Sequence, residues 1–303
     1  MNILYCGDDG IKNGLLVSIL SLMMNGQKHN QSSKNLNTPN NREAKNHNLN
    51  TEKLNHKNEN LNIYITTISY QDVKPFSIKA AQFLDQLVKK YNPKNQVILI
   101  DATNVFVSNL PQKNMGSYFT PCSMLRLYAD KIPELKVLDR ILYLDYDVVC
   151  RKDFSKFYYT DLTNIEAAGV LDIYGKHFYH YHGLKQDYMN SGVMLFNMPE
   201  CIKTKMFEHA VSKCIERWMM LADQAALNKS IIHRKLMPRK YNEQSERPKP
   251  DTVFHHFSNN FKFWPYFHVQ KVKPHEIDKI HKVLKITEYD DILNEYSKLK
   301  DNL

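Results

Sequence analysis

The sequence predicts an α/β fold in which a largely parallel central sheet is flanked by helices on both faces. Short apolar runs of strand length alternate with segments whose apolar positions recur at helical spacing. The chain has 303 residues, 43% of them hydrophobic, which suffices for one large core and a small appendage. Such sheets bind ligands at the carboxyl ends of their strands, and the acidic motifs of this chain fall there.

The chain begins with a predicted strand, turn and helix. Residues 1–6 form an apolar strand, the acidic turn GDDG follows, and the apolar positions of residues 11–24 suit a helix. The composition then changes, because the segment between Lys28 and Asn62 contains twelve asparagines and no aromatic residue. Such a segment cannot bury enough apolar surface to offset its ordering entropy. A flexible insertion is therefore predicted at about residues 28–61.

Strands and helices alternate again after the insertion. Strands are predicted at 61–66, 96–101, 140–145, 167–172 and 192–197, and helices at 75–91 and 119–131. From Pro199 onward the pattern is mostly helical, with a short strand at 252–257 and a final charged helix at 290–301. One main domain with a small helical appendage is therefore expected.

The net charge of +9 indicates an anionic partner. This partner could be a nucleotide, a phosphorylated acceptor, a nucleic acid or an acidic membrane face. Residues 229–240 concentrate this charge, with five Lys or Arg and no acid. This segment is either a solvated basic face or a surface that faces an anion.

The sequence predicts a cytoplasmic location. The apolar run at 14–24 is too short to span a bilayer and lacks the features of a signal peptide. The five cysteines lie far apart without C-x-x-C spacing, so neither a disulfide scaffold nor a zinc site is expected. These cysteines are Cys6, Cys122, Cys150, Cys201 and Cys214.

The segment ILYLDYDVV, residues 141–149, carries the most informative motif. Its apolar start reads as a buried strand, so Asp145 and Asp147 emerge on one side where the strand leaves the sheet. Two neighbouring carboxylates repel each other, and Mg²⁺ or Mn²⁺ relieves the repulsion by bridging them to a diphosphate. An acidic pair can also be an ordinary turn, but its position after a strand favours a metal site.

Asp8 and Asp9 follow the first strand at the corner where such sheets bind nucleotides. A G-x-G-x-x-G loop is absent from the sequence, which argues against a dinucleotide cofactor. An acid at this corner accepts hydrogen bonds from a base or a ribose hydroxyl. Alternatively, Asp9 caps the following helix.

His255 and His256 lie in the short predicted strand at 252–257. Alternation puts them on opposite faces, so only one can point into a cleft. Such a histidine is either a hydrogen-bonded core residue or a metal ligand. Lys262 and Trp264 follow, and they offer a cation for phosphate and an apolar platform.

Taken together, the motifs resemble glycosyltransferase family 8, retaining enzymes of the GT-A fold that include bacterial lipopolysaccharide galactosyl- and glucosyltransferases. The resemblance runs to about Trp264, without the insertion, and rests on MNILYCGDDG, SMLRLY, ILYLDYDVV, YMNSGVMLFN, LADQAALN and FHHFSNNFKFW. It implies a catalytic domain at 1–264, followed by a helical, basic appendage at 265–303. It implies a UDP-sugar donor, Mn²⁺ or else Mg²⁺, and transfer of glucose or galactose. The implied acceptor is a saccharide or a lipid-linked glycan.

The resemblance also implies a role for each matching residue. It makes Asp145, Asp147 and His256 the metal ligands. Asp223 and Gln224 are implied to flank the anomeric carbon and are the candidate catalytic residues. The implied contacts to the donor are Gly7, Asp8, Arg126, Asp145, Tyr146, Asp147, Asn190 and Lys262.

Three of these residues also have ordinary structural alternatives. Arg126 could be a salt-bridged helix residue, Asn190 a turn residue, and Asp223 the N-cap of a helix at 224–229. The chain departs from the family where relatives commonly have Asn and an aromatic residue and this sequence has Gly10 and Ile11. It also has Asn259 in place of a glycine found in some members.

The sequence offers no clear carboxylate nucleophile, so same-face attack is the predicted route to retention. The alternatives are a basic nucleic-acid-binding protein with a structural Asp-x-Asp pair, and a nucleotidyltransferase. Residues 229–240 and 277–303 suggest peripheral contact with the inner face of the plasma membrane.

Overall fold

A computed structural model describes residues 1–26, 59–115, 121–175, 187–262 and 268–303, without the side chains of residues 260–262 and 268. The predicted flexible insertion lies almost wholly outside the described residues. Of its predicted span, the structure describes only residues 59–61.

Eleven strands are described, and they include every strand that the sequence predicts. They are β1 (Asn2–Cys6), β2 (Asn62–Thr67), β3 (Gln96–Asp101), β4 (Arg140–Leu144), β5 (Val148–Cys150), β6 (Ala167–Leu171), β7 (Met189–Asn197), β8 (Arg234–Leu236), β9 (Phe254–His256), β10 (Asn260–Lys262) and β11 (His268–Gln270).

The described α-helices lie between these strands and at the carboxyl terminus. They are α1 (Lys12–Asn25), α2 (Ile78–Tyr91), α3 (Thr103–Val107), α4 (Pro133–Lys136), α5 (Ser155–Tyr158), α6 (Met198–Lys203), α7 (Met206–Glu216), α8 (Ala222–Ser230), α9 (Ile277–Lys279) and α10 (Asp290–Leu299). Five 3₁₀ helices and one π-helix complete the description: Asp9–Ile11, Gln112–Asn114, Pro121–Tyr128, Arg239–Tyr241 and Lys300–Asn302, and Ile280–Leu284.

Seven strands form one mostly parallel sheet in the order β3-β2-β1-β4-β7-β6-β8. β3, β2, β1 and β4 run parallel to one another, and β6 runs parallel to β8. β7 runs antiparallel to both β4 and β6. The predicted α/β class with a largely parallel sheet is therefore confirmed, with one reversed strand in its middle.

The sheet is covered on both faces because its central strands are apolar on both sides. In β1, Ile3 and Tyr5 face a core that includes α1 and α2, whereas Leu4 and Cys6 face a second core that includes α7 and α8. Strands buried on both faces read as continuous apolar runs, as β1 and β4 do.

Two predictions about helices differ from the structure. Within the segment 119–131, where a helix is predicted, the structure has a 3₁₀ helix at Pro121–Tyr128, in which Nε of Arg126 donates to the carbonyl of Ser123 at 2.9 Å. An α-helix would use that carbonyl for the N–H of Leu127. The chain after Pro199 is also less helical than predicted, because prolines such as Pro238 and Pro250 interrupt the segment that contains β8 and β9.

The carboxyl-terminal residues pack into the same core as α1. Ile280, Ile292 and Tyr296 are buried with the apolar residues of α1, and the hydroxyl of Tyr296 donates to Oδ1 of Asn13 at 3.1 Å. The division at residue 264 stays a prediction. Among the described residues, no helix is both long and apolar enough to cross a membrane.

Candidate active site

The candidate site lies at the edge of the sheet where β4 ends. Because β7 runs antiparallel to β4, its first residues lie beside the last residues of β4. The N–H of Asp145 donates to the carbonyl of Gly192 at 2.8 Å. The reversed strand therefore brings the predicted sugar residue Asn190 close to the predicted metal ligands.

Asp145, Asp147 and His256 form a compact cluster. The turn after β4 leads into β5, which pairs with β9 so that Val148 lies opposite His256. Nε2 of His256 lies 3.3 Å from Oδ1 of Asp147 and 3.6 Å from Oδ2 of Asp145. One ligand atom from each residue lies within 4.8 Å of the others. The structure thus brings together the three predicted ligands.

Gly192 lies directly beneath this cluster and leaves no space for a side chain. A Cβ atom there would lie 2.2 Å from Cε1 of His256 and 2.9 Å from Oδ2 of Asp145. Both distances are well below van der Waals contact. A glycine is therefore required for the imidazole and the carboxylates to meet.

The three side chains fit a hard divalent cation. Carboxylate oxygens and an imidazole nitrogen suit ions such as Mg²⁺ and Mn²⁺. Nε2 of His256 faces both carboxylates, while its Nδ1 is buried without a hydrogen-bond partner. Burial lowers the pKa of His256, but Asp147 and Asp145 outweigh this and raise it above its usual value. The cluster therefore attracts positive charge.

Lys273 also reaches this cluster, although the sequence did not predict it. Its Nζ donates to Oδ2 of Asp147 at 2.5 Å and to the carbonyl of Phe257 at 3.4 Å. Burial raises the pKa of Asp147, but Lys273 and His256 outweigh burial, and the pKa lies below its usual value. Asp147 is therefore held in its ionised form.

Arg126 joins two carboxylates of the site. Its guanidinium lies 3.0 Å from Oδ1 of Asp145 and 3.2 Å from Oδ2 of Asp223, and it donates to the carbonyl of Ser191 at 2.8 Å. The hydroxyl of Tyr143 donates to the same oxygen of Asp145 at 2.6 Å. Arg126 is therefore salt-bridged, as its structural alternative predicted. Its partners, Asp145 and Asp223, are themselves predicted site residues.

Asp223 lies inside the first turn of α8 and does not occupy the N-cap position. The helix begins at Ala222, so the alternative that Asp223 is its N-cap is wrong. Burial raises the pKa of Asp223, although Arg126 opposes the shift. The next residue, Gln224, accepts a hydrogen bond from the N–H of Ser191 at 2.9 Å.

Asn190 and Gln224 belong to a buried polar network centred on Asp172. Oδ2 of Asp172 accepts hydrogen bonds from the amide of Asn190 at 2.9 Å and from that of Gln224 at 3.3 Å. Oδ1 of Asn190 in turn accepts from the N–H of Gly192 and from the amide of Asn242, at 3.0 and 2.9 Å. This network fixes both predicted sugar residues beside the metal cluster.

The sequence did not predict Asp172 and Asn242 as members of the site. The position of Asp172 at the carboxyl end of the predicted strand 167–172 was the available signal. For Asn242 the sequence held no signal, since it follows a short 3₁₀ helix in an irregular segment. Its Oδ1 is buried without a hydrogen-bond partner.

At the acidic corner after β1, the alternative in which Asp9 caps the following helix is wrong. Asp8, and not Asp9, caps the following turn, because its Oδ1 accepts a hydrogen bond from the N–H of Gly10 at 2.9 Å. Asp9 instead accepts from the N–H of Ser77 at 3.3 Å. A Cβ atom on Gly7 would lie 2.3 Å from Cδ1 of Ile11, so Ile11 packs closely on the corner.

Tyr146 packs against α1 between the two metal-site aspartates. A Cβ atom on Gly14 would lie 2.6 Å from its ring, so the ring rests on the helix backbone. Burial and the charge of Asp147 raise the pKa of Tyr146 to about 12. Its side chain therefore stays neutral at physiological pH.

His255 and His256 point to opposite faces, as the alternation predicted. The ring of His255 lies within 2.9 Å of the carbonyl of Ser245 and accepts a hydrogen bond from the hydroxyl of Tyr289 at 2.7 Å. Burial lowers the pKa of His255 to about 4. It is a neutral core residue, whereas His256 faces the cleft.

Two residues of the predicted set cannot be placed in the site. The backbone of Lys262 lies in β10, but its side chain lies outside the described part of the chain. Trp264 lies wholly outside the described residues. Their roles toward the diphosphate and the donor stay predictions.

Several basic groups of the segment 229–240 bind other parts of the chain. Arg234 donates to the carbonyl of Asp187 at 2.6 Å, and Lys235 to that of Asp161 at 2.9 Å. Arg239 pairs with Asp251 at 2.6 Å. These contacts favour a structural role for much of this charge.

The fold and the site together define the class of protein. The mostly parallel sheet flanked by helices is the GT-A fold of the glycosyltransferases, and the acidic cluster lies at the end of its central strand. The chain belongs to the family "Glycosyl transferase family 8", whose model matches residues 2–267. The resemblance seen in the sequence is therefore confirmed, and the nucleic-acid-binding alternative is not favoured.

Two relatives of this chain are lipopolysaccharide glycosyltransferases. The chain is 29% identical over 209 residues to a lipopolysaccharide 1,2-glucosyltransferase of Escherichia coli, covering 60% of each chain. It is 26% identical over 183 residues to a lipopolysaccharide 1,3-galactosyltransferase of Salmonella typhimurium, covering 56% of this chain and 52% of the relative. The match thus spans little more than half the length of these relatives.

The fold is similar to that of the galactosyltransferase LgtC, solved in complex with donor and acceptor sugar analogues. The TM-score is 0.62 at 14% sequence identity, and the match covers 100% of both chains. At this identity the likeness establishes the fold alone.

Proposed function

We propose that this chain is a metal-dependent retaining glycosyltransferase that moves glucose or galactose from a UDP-sugar to a saccharide or lipid-linked glycan. The proposal rests on one observation. The cluster of Asp145, Asp147 and His256 lies next to the hydrogen-bonded network of Asn190 and Gln224. Membership of the family and the names of the two relatives support a sugar as the group transferred.

Asp145, Asp147 and His256 would hold the divalent ion, which we propose to be Mn²⁺, with Mg²⁺ as the second candidate. When bound, such an ion neutralises the negative charge that grows on the diphosphate as the sugar leaves. Arg126 adds a fixed positive charge on the same side, because it is buried between Asp145 and Asp223. The carboxylate of Asp8 would accept hydrogen bonds from the nucleoside at the end of β1.

Asn190, Asp223 and Gln224 would bind and orient the hexose. All three side chains are buried and hydrogen-bonded or ion-paired, so their polar atoms hold fixed directions before the donor binds. Preorganised polar groups of this kind distinguish sugars by one or two hydroxyl contacts.

Retention would proceed by attack of the acceptor hydroxyl on the face from which UDP leaves. A double displacement requires a free nucleophile beneath the anomeric carbon. The carboxylate of Asp223 is engaged by Arg126, and the amide of Gln224 is held between Ser191 and Asp172. Neither residue offers a free nucleophile, and this favours same-face attack.

UDP release from a panel of UDP-sugars, measured with Mn²⁺ present, tests the proposal. We expect release from UDP-glucose or UDP-galactose and a product with the anomeric configuration of the donor, seen by NMR. Asp147→Asn should abolish release, whereas Asp161→Asn, in an exposed turn away from the site, should not. Absence of UDP release from every donor, or an inverted product, would contradict the proposal.

The cytoplasmic location and the peripheral membrane contact belong to the same proposal. A lipid-linked acceptor would be met at the inner face of the plasma membrane. The net charge of +9 supports attraction to anionic lipids there.

A further inference from the structure

Each aspartate of the metal cluster divides its two oxygens between a fixed cation and the space beside His256. Oδ1 of Asp145 lies 3.0 Å from Arg126, and its Oδ2 faces Nε2 of His256. Oδ2 of Asp147 lies 2.5 Å from Lys273, and its Oδ1 faces the same Nε2. Two oxygens therefore remain for an ion, one from each carboxylate.

Lys273 is held in this position by its own segment. Val272 packs into the core, and Pro274 is buried on the other side. The N–H of Lys273 donates to Oε2 of Glu276 at 2.8 Å, and the N–H of Glu276 donates back to the carbonyl of Lys273 at 3.0 Å. The turn fixes the direction in which the lysine side chain leaves the backbone.

The charges of the ion-paired groups around the metal cluster nearly cancel before any ligand binds. When His256 is neutral, as a metal ligand must be, Asp145, Asp147 and Asp223 supply three negative charges, and Arg126 and Lys273 supply two positive ones. One negative charge remains among these five groups, so a divalent ion bound alone would give them an excess positive charge. A diphosphate bound beside the ion would remove that excess.

We propose that Lys273 is a positioning residue that replaces part of the metal's charge at Asp147, so that the ion binds weakly by itself while the diphosphate is attracted. This inference rests on the proposed function and extends it to a residue that the family motifs do not include. If this inference holds, removal of the lysine charge changes the affinity for the metal ion and the affinity for the nucleotide in opposite directions. Loss of a repelling charge strengthens ion binding, and loss of an attracting charge weakens binding of the nucleotide.

Calorimetric titrations of the full chain with Mn²⁺ alone and with UDP alone in metal-free buffer test this inference. Lys273→Met should tighten Mn²⁺ binding by about tenfold and weaken UDP binding by about tenfold, as expected for a unit charge a few ångströms from each ligand. Lys279→Met is the matched control, because Lys279 pairs with Glu276 in the same segment without reaching the cluster. Lys273→Arg should restore both affinities toward the wild-type values.

Opposite shifts cannot come from a variant that merely folds poorly, since misfolding weakens both. If Lys273→Met matches Lys279→Met in both titrations, or weakens Mn²⁺ binding, the inference is wrong while the proposed function stands. If the wild-type chain binds neither Mn²⁺ nor UDP, even when both are present, the proposed function fails first.

Discussion

The carboxylates and the imidazole of the metal cluster meet above Gly192, which has no side chain to separate them. The ring of His256 occupies the volume that a Cβ atom would need, with 2.2 Å between the two positions. The glycine is therefore part of the site although it offers no ligand atom. Its sequence neighbours in YMNSGVMLFN gave no indication of this role.

Gly192→Ala should destabilise the protein by about 1–3 kcal/mol, the usual cost of overpacking, and abolish the stabilisation by Mn²⁺ with UDP. Because the closest clash is with His256, the cost should be smaller in a His256→Ala background. Urea unfolding of the two single variants and the double variant measures this coupling. Additive effects of the two substitutions would contradict a direct clash.

At the scale of elements, the carboxyl-terminal part of the chain supports the strand that carries His256. Tyr289, next to α10, donates to the ring of His255, which lies on β9 beside His256. The rings of Tyr289 and His255 also stack, with centroids 5.6 Å apart. The strand β9 is thus stabilised by Tyr289, which lies 34 residues after His255 in the sequence.

Tyr289→Phe should cost about 1–3 kcal/mol of unfolding free energy, because it leaves a buried ring nitrogen of His255 without a partner. Tyr296→Phe is the matched control, since its hydroxyl bond to Asn13 is only partly buried and should be worth about 1 kcal/mol or less. Equal costs in urea unfolding would show that the bond to His255 does not brace β9.

Elements whose signal is local could be predicted from the sequence. The buried run before Asp145 predicted β4 and the edge at which the metal ligands lie. Lys273 could not be predicted in this way, because it lies 126 residues from Asp147 and meets it only through the turn after β11. The reversal of β7 could not be predicted either, since an apolar strand pattern does not encode direction.

At the scale of the whole molecule, the two cores enclose every cysteine. All five thiols are free and buried. Burial raises the pKa of Cys6, Cys122 and Cys214 to about 12. These three thiols are therefore protonated at neutral pH.

The folded protein should react slowly, if at all, with a thiol reagent at pH 8, because the thiols are both inaccessible and protonated. In urea all five should react. A colorimetric thiol assay with and without urea measures the number of reactive thiols in the unfolded and the folded protein. Rapid reaction of one thiol in the folded protein would show that a core opens readily at that place.

The thermal stability of the chain, measured with and without UDP and Mn²⁺, tests whether Asp147 belongs to a metal site that binds the nucleotide. We expect a rise in the melting temperature that requires both ligands, disappears in Asp147→Asn and persists in Asp161→Asn. Asp147 lies between His256 and Lys273, so this substitution removes a carboxylate charge from the middle of the cluster. A wild-type chain that UDP and Mn²⁺ do not stabilise, or an Asp147→Asn variant stabilised as fully as the wild type, would contradict the account.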